Sequence, residues 1–160
     1  TTVTFQLPFL LDDMACSNRK REQTAETDAA GMKILVVEDN EINMEIAEFY
    51  LTEAGAKTEK AWNGAEAVQK FAESETGRFD VILMDVMMPV MDGLEATRRI
   101  RALEHPDAGT VTILAMTAQS SADSIHQCEQ AGMNGYIAKP VEAAELIKIL
   151  SEKCPKGCKN

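Results

Sequence analysis

The chain has 160 residues, of which 26 are acidic and 16 basic, a net charge of -10; hydrophobic residues make up 45% and charged ones 26%. These are values of a soluble globular protein with one ordinary domain of about 100 to 150 residues and some chain left over. They argue against a surface that grips nucleic acid, which needs clustered Lys and Arg, and no apolar window approaches the roughly 18 residues that span a bilayer.

The N-terminus has no basic leader region and no initiating Met, so it reads as neither a signal peptide nor a natural beginning but as the edge of an excised fragment. Asp12 to Gly31, "DDMACSNRKREQTAETDAAG", is polar with no apolar period of 2 or 3.6, the pattern of a linker, and a boundary is expected near Met32. From there short apolar runs alternate with amphipathic stretches. "KILVV" is a strand. A helix from about Glu41 to Ala54 follows, with Ile42, Ile46, Phe49 and Tyr50 on one face, and Gly55 closes it. The weaker strand "KTEKA" precedes a helix near Ala65 to Ser74, and strand "DVILM" a helix near Leu94 to Leu103. Strand "TILAM" leads to a helix near Ala122 to Ala131, and strand "GYIA" to a helix near Ala143 to Glu152, with residues 154–160 as a tail.

Apolar runs without alternation are strands buried on both faces, and strands alternating with helices imply a parallel sheet wrapped by right-handed crossovers. Five such βα units predict an α/β fold with an open, doubly wound, five-stranded parallel sheet. Cys16, Cys128, Cys154 and Cys158 form no CxxC pair and only two histidines accompany them, so zinc has little support. Reduced thiols in a cytoplasmic setting are expected.

The stretch "VILMDVMMPVMDG" is unusual in that a strand-like run stops on a bare carboxylate, Asp85. The other strong strands also end in polar residues: "LVV" meets Glu38 and Asp39, "ILAM" meets Thr117, and "YIA" meets Lys139. In open α/β sheets ligands bind beyond the carboxyl ends of the strands, where chain order reverses, so these residues should converge on one crevice. Three neighbouring carboxylates are tolerable at neutral pH only with a cation among them or with a proton retained. Oxygen ligands without His or Cys point to Mg²⁺. A Lys and a hydroxyl beside such a centre suit a phosphoryl group, with Asp85 as nucleophile. Blander readings stand beside these. Glu38-Asp39-Asn40 could cap a helix, Thr117 could cap the next one, and Lys139 before Pro140 could lie in a solvated loop. Neither a cap nor a turn explains Asp85.

Through "VVEDN", "DVILMDVMMPVMDG", "MTA" and "YIAKP", residues 32–153 resemble the receiver domain of two-component response regulators. The resemblance implies a (βα)5 flavodoxin-like fold with strand order 2-1-3-4-5. It implies that Asp85 takes a phosphoryl group from phosphohistidine, and that Glu38, Asp39, Asp85 and the backbone carbonyl of Met87 hold Mg²⁺. Thr117 and Lys139 then match the phosphoryl ligands, and Tyr136 matches an aromatic switch residue that turns inward with Thr117. The implied partners are a histidine kinase dimerisation domain, a histidine phosphotransfer protein, or both, with no nucleic acid and no membrane contact by this fragment. A cis Lys139-Pro140 bond is also implied, against a frequency of about 5 to 6% for X-Pro bonds generally. Met84 is expected in the core and Met87, Met88 and Met91 in the loop or at the helix start. His105, in the loop "EHPDAG", is expected to be a loop residue and not a phosphodonor.

"TVTFQLPF", within residues 1–10, is similar to the last strand of a histidine kinase's ATP-binding domain. With residues 11–31 as linker, that order implies the C-terminal receiver of a hybrid histidine kinase, whose parent chain could be membrane-anchored. On this reading the fragment catalyses its own phosphorylation and dephosphorylation. A stand-alone response regulator is the nearest alternative. A Mg²⁺-dependent phosphatase working through aspartyl phosphate would commonly carry an acid two residues after the nucleophile, and Met87 stands there. A binding-only pseudoreceiver is disfavoured because no acceptor or metal residue is missing.

Overall fold

The computed structural model describes residues 29–119 and 121–153. The expected kinase-strand remnant at 1–10, most of the expected linker and the 154–160 tail lie outside them. Five strands, β1 (Lys33–Val37), β2 (Lys57–Ala61), β3 (Val81–Asp85), β4 (Thr112–Thr117) and β5 (Gly135–Ala138), alternate with five helices. The helices are α1 (Glu41–Glu53), α2 (Gly64–Ala72), α3 (Gly93–Ala102), α4 (Ala122–Ala131) and α5 (Ala143–Lys153). All strand pairs are parallel and the order is β2-β1-β3-β4-β5, as expected.

Successive side chains of a strand point to opposite faces, so a strand without apolar alternation needs cover on both. β1 shows this directly. Ile34 and Val36 join the layer holding Met44 and Leu51 of α1 and Leu146 and Leu150 of α5, whereas Leu35 and Val37 join that holding Phe71, Ile100 and Cys128 of α2, α3 and α4. Val81 to Asp85 of the central β3 are all buried. Side-chain oxygens of Asn40, Asn63, Asp92 and Ser121 accept the orphan N–H groups that open α1 to α4. Gly132, at φ 99°, ends α4 in the left-handed region where glycine carries no Cβ penalty.

The apolar face expected for α1 is corrected. Met44, Ala47 and Leu51 are buried, while Ile42, Ile46 and Phe49 are 67%, 40% and 62% exposed and Tyr50 is half-buried. At about 100° per residue the two sets lie on opposite sides of the helix. Periodicity detects both stripes equally. The one with the small Ala47 at its centre permits the closer approach to the sheet.

Ala29 is fully buried and the Gly31 N–H donates to the Gly55 carbonyl at 2.8 Å, so these residues of the expected linker pack against the end of α1. Cys128 is a buried free thiol, whose pKa burial raises, leaving it a core residue; the other three cysteines lie outside the described residues. His105 is a loop residue, its ring 4.8 Å from that of Phe71 and its Nε2 3.0 Å from the Ser74 carbonyl oxygen.

Candidate functional site

Asp85 is the last residue of β3, Thr117 the last of β4, and Glu38 and Lys139 directly follow β1 and β5. Because β1 and β3 are neighbours while their crossovers run to opposite sides, the carboxyl edge opens into a crevice there. The winding brings the expected acids together. One carboxylate oxygen each from Glu38, Asp39 and Asp85 lie within 4.8 Å of one another. Lys139 Nζ donates to Glu38 Oε2 at 2.6 Å and contacts Asp85 Oδ2 at 2.9 Å.

Local structure fixes these side chains. Glu38 Oε1 accepts from Asn43 Nδ2 at 3.1 Å and from the Asn40 N–H at 3.4 Å, and Asp85 Oδ1 accepts from the Met87 N–H at 3.1 Å. Glu38 and Asp85 are only 1% and 4% exposed. The capping alternatives resolve differently for each residue. Asn40 is the cap of α1, which leaves Glu38 turned into the crevice, and Ser121, not Thr117, caps α4. Lys139 is bound to two acids rather than solvated. The Lys139-Pro140 bond is cis.

Burial pushes the Asp85 carboxyl above its ordinary pKa; the hydrogen bond from Lys139 opposes this, and the charge of Glu38 adds to it. Burial by itself would lower the pKa of Lys139, but its bonds to Glu38 and Asp85 outweigh that and hold it above its usual value. One ammonium among three carboxylates leaves an excess of negative charge. Glu38, Asp39 and Asp85 can therefore hold a hard, oxygen-preferring cation.

Two expected participants stand apart from this cluster. The Thr117 hydroxyl donates to the Gln119 carbonyl at 3.0 Å and accepts from the Gln119 N–H at 3.1 Å. Tyr136 is 39% exposed. The Met87 side chain is 79% exposed, so only its backbone meets the site.

Residues 34–151 match the response regulator receiver domain family. The chain belongs to that family. It is a receiver domain of a two-component system. Over 160 residues this receiver is 36% identical to the osmosensing histidine protein kinase SLN1 of Saccharomyces cerevisiae, covering 96% of the chain but 13% of that kinase. Among solved structures it resembles the receiver domain of the sensor histidine kinase PA1611 of Pseudomonas aeruginosa, which has a magnesium ion coordinated in its active site cleft. That match has a TM-score of 0.70 at 41% identity, covering 78% of this chain and 98% of the other. The S. cerevisiae Ssk1 receiver, in co-crystals with the histidine phosphotransfer protein Ypd1, matches with a TM-score of 0.70 at 32% identity, covering 78% and 90%.

Sequence reasoning missed two residues of this receiver's site. Asn43 holds Glu38 from the first turn of α1, and its only signal was an amide one helical turn beyond an acidic pair. Gly93 opens α3 against the back of β3: a Cβ there would collide with the Asp85 carbonyl oxygen and come within 2.9 Å of Met84 Cγ. The Asp85 carbonyl is backbone of the central strand and cannot turn aside, and Met84 is fully buried. Gly93→Ala is therefore expected to destabilise the domain by about 1 to 3 kcal/mol, measured by urea unfolding; an unchanged midpoint would show that the α3 start can retreat.

Proposed function

We propose that Asp85 is the phosphoacceptor, taking a phosphoryl group from phosphohistidine on a partner protein. The carrying observation is a nearly buried carboxylate at the end of the central strand, held at one oxygen by the Met87 N–H and at the other by Lys139. In the transfer, an Asp85 oxygen forms a bond to phosphorus as the P–N bond breaks, and the imidazole nitrogen leaves with its electron pair. Glu38, Asp39 and Asp85, with the Met87 carbonyl, would hold Mg²⁺; when bound, it neutralises charge on the phosphoryl oxygens. Lys139, already in contact with Asp85, would supply a further cationic contact to the phosphoryl group. The Thr117 hydroxyl would exchange Gln119 for a phosphoryl oxygen, and Tyr136 would follow it inward, turning a local charge change of about -1.5 to -2 into a shift of the α4 and β5 surface.

The partner we assign is a helix-borne phosphohistidine, in a histidine phosphotransfer protein or a kinase dimerisation domain. The outward stripe Ile42, Ile46 and Phe49 of α1 runs beside a cleft of roughly 390 Å³ lined by Asn43, Ile46, Tyr50, Lys139, Pro140 and Val141. A helix with an apolar ridge fits such a stripe. The parent chain is proposed to be a hybrid histidine kinase, with the receiver in the cytoplasm, where phosphohistidine is made from ATP. No described helix is long and apolar enough to cross a membrane.

With Mg²⁺ and phosphoramidate, the protein is expected to gain one phosphoryl group per chain by intact mass, and chelation with EDTA should abolish it. Uptake that persists without divalent cations would refute the metal assignment.

A further inference from the structure

Gly64 is the first residue of α2, and its N–H is one of the four that a helix start leaves without an intrahelical acceptor. The start is fixed by a reciprocal pair of bonds. Asn63 Oδ1 accepts from the Glu66 N–H at 2.9 Å, and Glu66 Oε2 accepts from the Trp62 N–H at 2.9 Å. The Gly64 N–H reaches across to another part of the chain: it donates to the Met91 carbonyl, in the loop between β3 and α3, at 3.1 Å. The approach leaves no room for a side chain. A Cβ on residue 64 would stand 2.6 Å from the Met91 carbonyl oxygen, 2.9 Å from Ala96 Cβ and 3.0 Å from the Asp92 carbonyl oxygen. Two of these three are main-chain atoms, so a Cβ could be fitted only by moving the loop.

The loop so braced, residues 86–92, is the one that leaves Asp85. The Val86 N–H donates to the Met116 carbonyl of β4 at 3.1 Å, the Met87 N–H to Asp85 Oδ1 at 3.1 Å, and the Gly93 N–H closes the loop on the Val86 carbonyl at 3.0 Å. Met88 and Met91 are half-buried against the layer of Phe71 and Ile100. Of the four groups assigned above to Mg²⁺, three are carboxylates, which adjust by rotating about side-chain bonds. The fourth, the Met87 carbonyl, moves only when the loop moves. Mg²⁺ takes oxygens at about 2.0–2.1 Å in near-ideal octahedral geometry, whereas Ca²⁺ accepts roughly six to eight at about 2.3–2.6 Å in flexible arrangements. Displacing or loosening a main-chain ligand therefore penalises the smaller ion more than the larger.

Resting on the metal assignment above, we infer that Gly64 is a positioning residue that sets metal specificity. By seating the start of α2 on the Met91 carbonyl, it holds the β3–α3 loop in the one arrangement in which the Met87 carbonyl favours Mg²⁺ over Ca²⁺.

The test is a titration of the wild-type protein and G64A with Mg²⁺ and, separately, with Ca²⁺, followed by backbone amide NMR shifts, which also report folding. In G64A the Kd for Mg²⁺ is expected to rise about tenfold, the low end of the range for losing a group that orients a metal ligand, while the Kd for Ca²⁺ changes by less than about threefold. L150V, which thins the core on the other face of the sheet at the fully buried Leu150 of α5, should lower the thermal midpoint and leave both constants as in wild type. Should G64A prove unfolded, G64A/A96G takes its place, since it removes the Ala96 contact and keeps both carbonyl contacts; the same loss of Mg²⁺ preference is expected. An unchanged Mg²⁺ affinity, an equal weakening of both ions, or an equal change of preference in L150V would overturn the inference. A wild-type protein that binds neither ion would instead refute the metal assignment itself.

Discussion

Asp85→Asn is expected to reduce phosphoryl uptake from phosphoramidate to background, a loss of at least about a thousandfold, while making the metal-free domain more stable at neutral pH. The first effect follows from chemistry. Asparagine places a neutral amide where an anionic oxygen must attack phosphorus, and Glu38, the other buried acid, is held by Asn43 and Lys139. The second follows from burial. Asp85 titrates above its ordinary range because burial penalises its charged form, with the neighbouring Glu38 adding and Lys139 opposing. A group whose pKa is raised on folding contributes stability that is fully present below the unfolded value and lost as pH rises through the folded one. At neutral pH the ionised Asp85 is thus a net cost to the fold. The variant should therefore have the higher urea midpoint at pH 7, and its advantage should shrink as pH falls toward 3.8, the ordinary carboxylate value. Mg²⁺ should narrow the same gap, since a cation that binds only the folded state stabilises the full acidic set more. Phosphoryl uptake by the variant at the wild-type rate would place the acceptor elsewhere.

How much of this was legible in the sequence depended on the kind of signal. Strand positions were clear because a doubly covered strand such as Val81 to Met84 leaves no room for polar residues, and a lone acid at its end stands out. The meeting of Glu38, Asp39, Asp85 and Lys139 followed from the parallel, doubly wound sheet, since such winding puts the carboxyl ends of the strands on one edge. The packed face of α1 was not legible. Its two apolar stripes are half a turn apart, and the choice between them lies in contacts with the sheet and α5, not in the helix itself. Asn43 and Gly93 escaped for a similar reason. An amide that orients a carboxylate, or a missing Cβ that lets a helix approach a strand, acts through neighbours distant in the chain or fixed only by folding. The Thr117–Gln119 pairing likewise depends on backbone geometry after β4.

Lys139→Ala should separate two roles that the ammonium holds at once. Its Nζ bridges Glu38 and Asp85, so in the metal-free protein it serves as the internal counterion of the acidic cluster. Removing it leaves two buried carboxylates facing each other, a loss of the kind that costs about 3 to 5 kcal/mol when one partner of a buried pair is deleted. Part of that is recovered when a divalent cation enters, because the acids no longer share their charge with the lysine and the entering ion no longer meets a like charge. Mg²⁺ affinity, measured by calorimetry, is therefore expected to rise about tenfold. Phosphorylation should move the other way. A charge-assisted contact of this class is worth about 1.5 to 3 kcal/mol, so uptake from phosphoramidate at saturating Mg²⁺ should slow by roughly 10- to 150-fold. Tighter metal binding with slower phosphorylation is a combination that simple unfolding cannot produce, since unfolding would weaken both. A variant that binds Mg²⁺ more tightly and is phosphorylated at the wild-type rate would confine Lys139 to balancing charge in the resting domain.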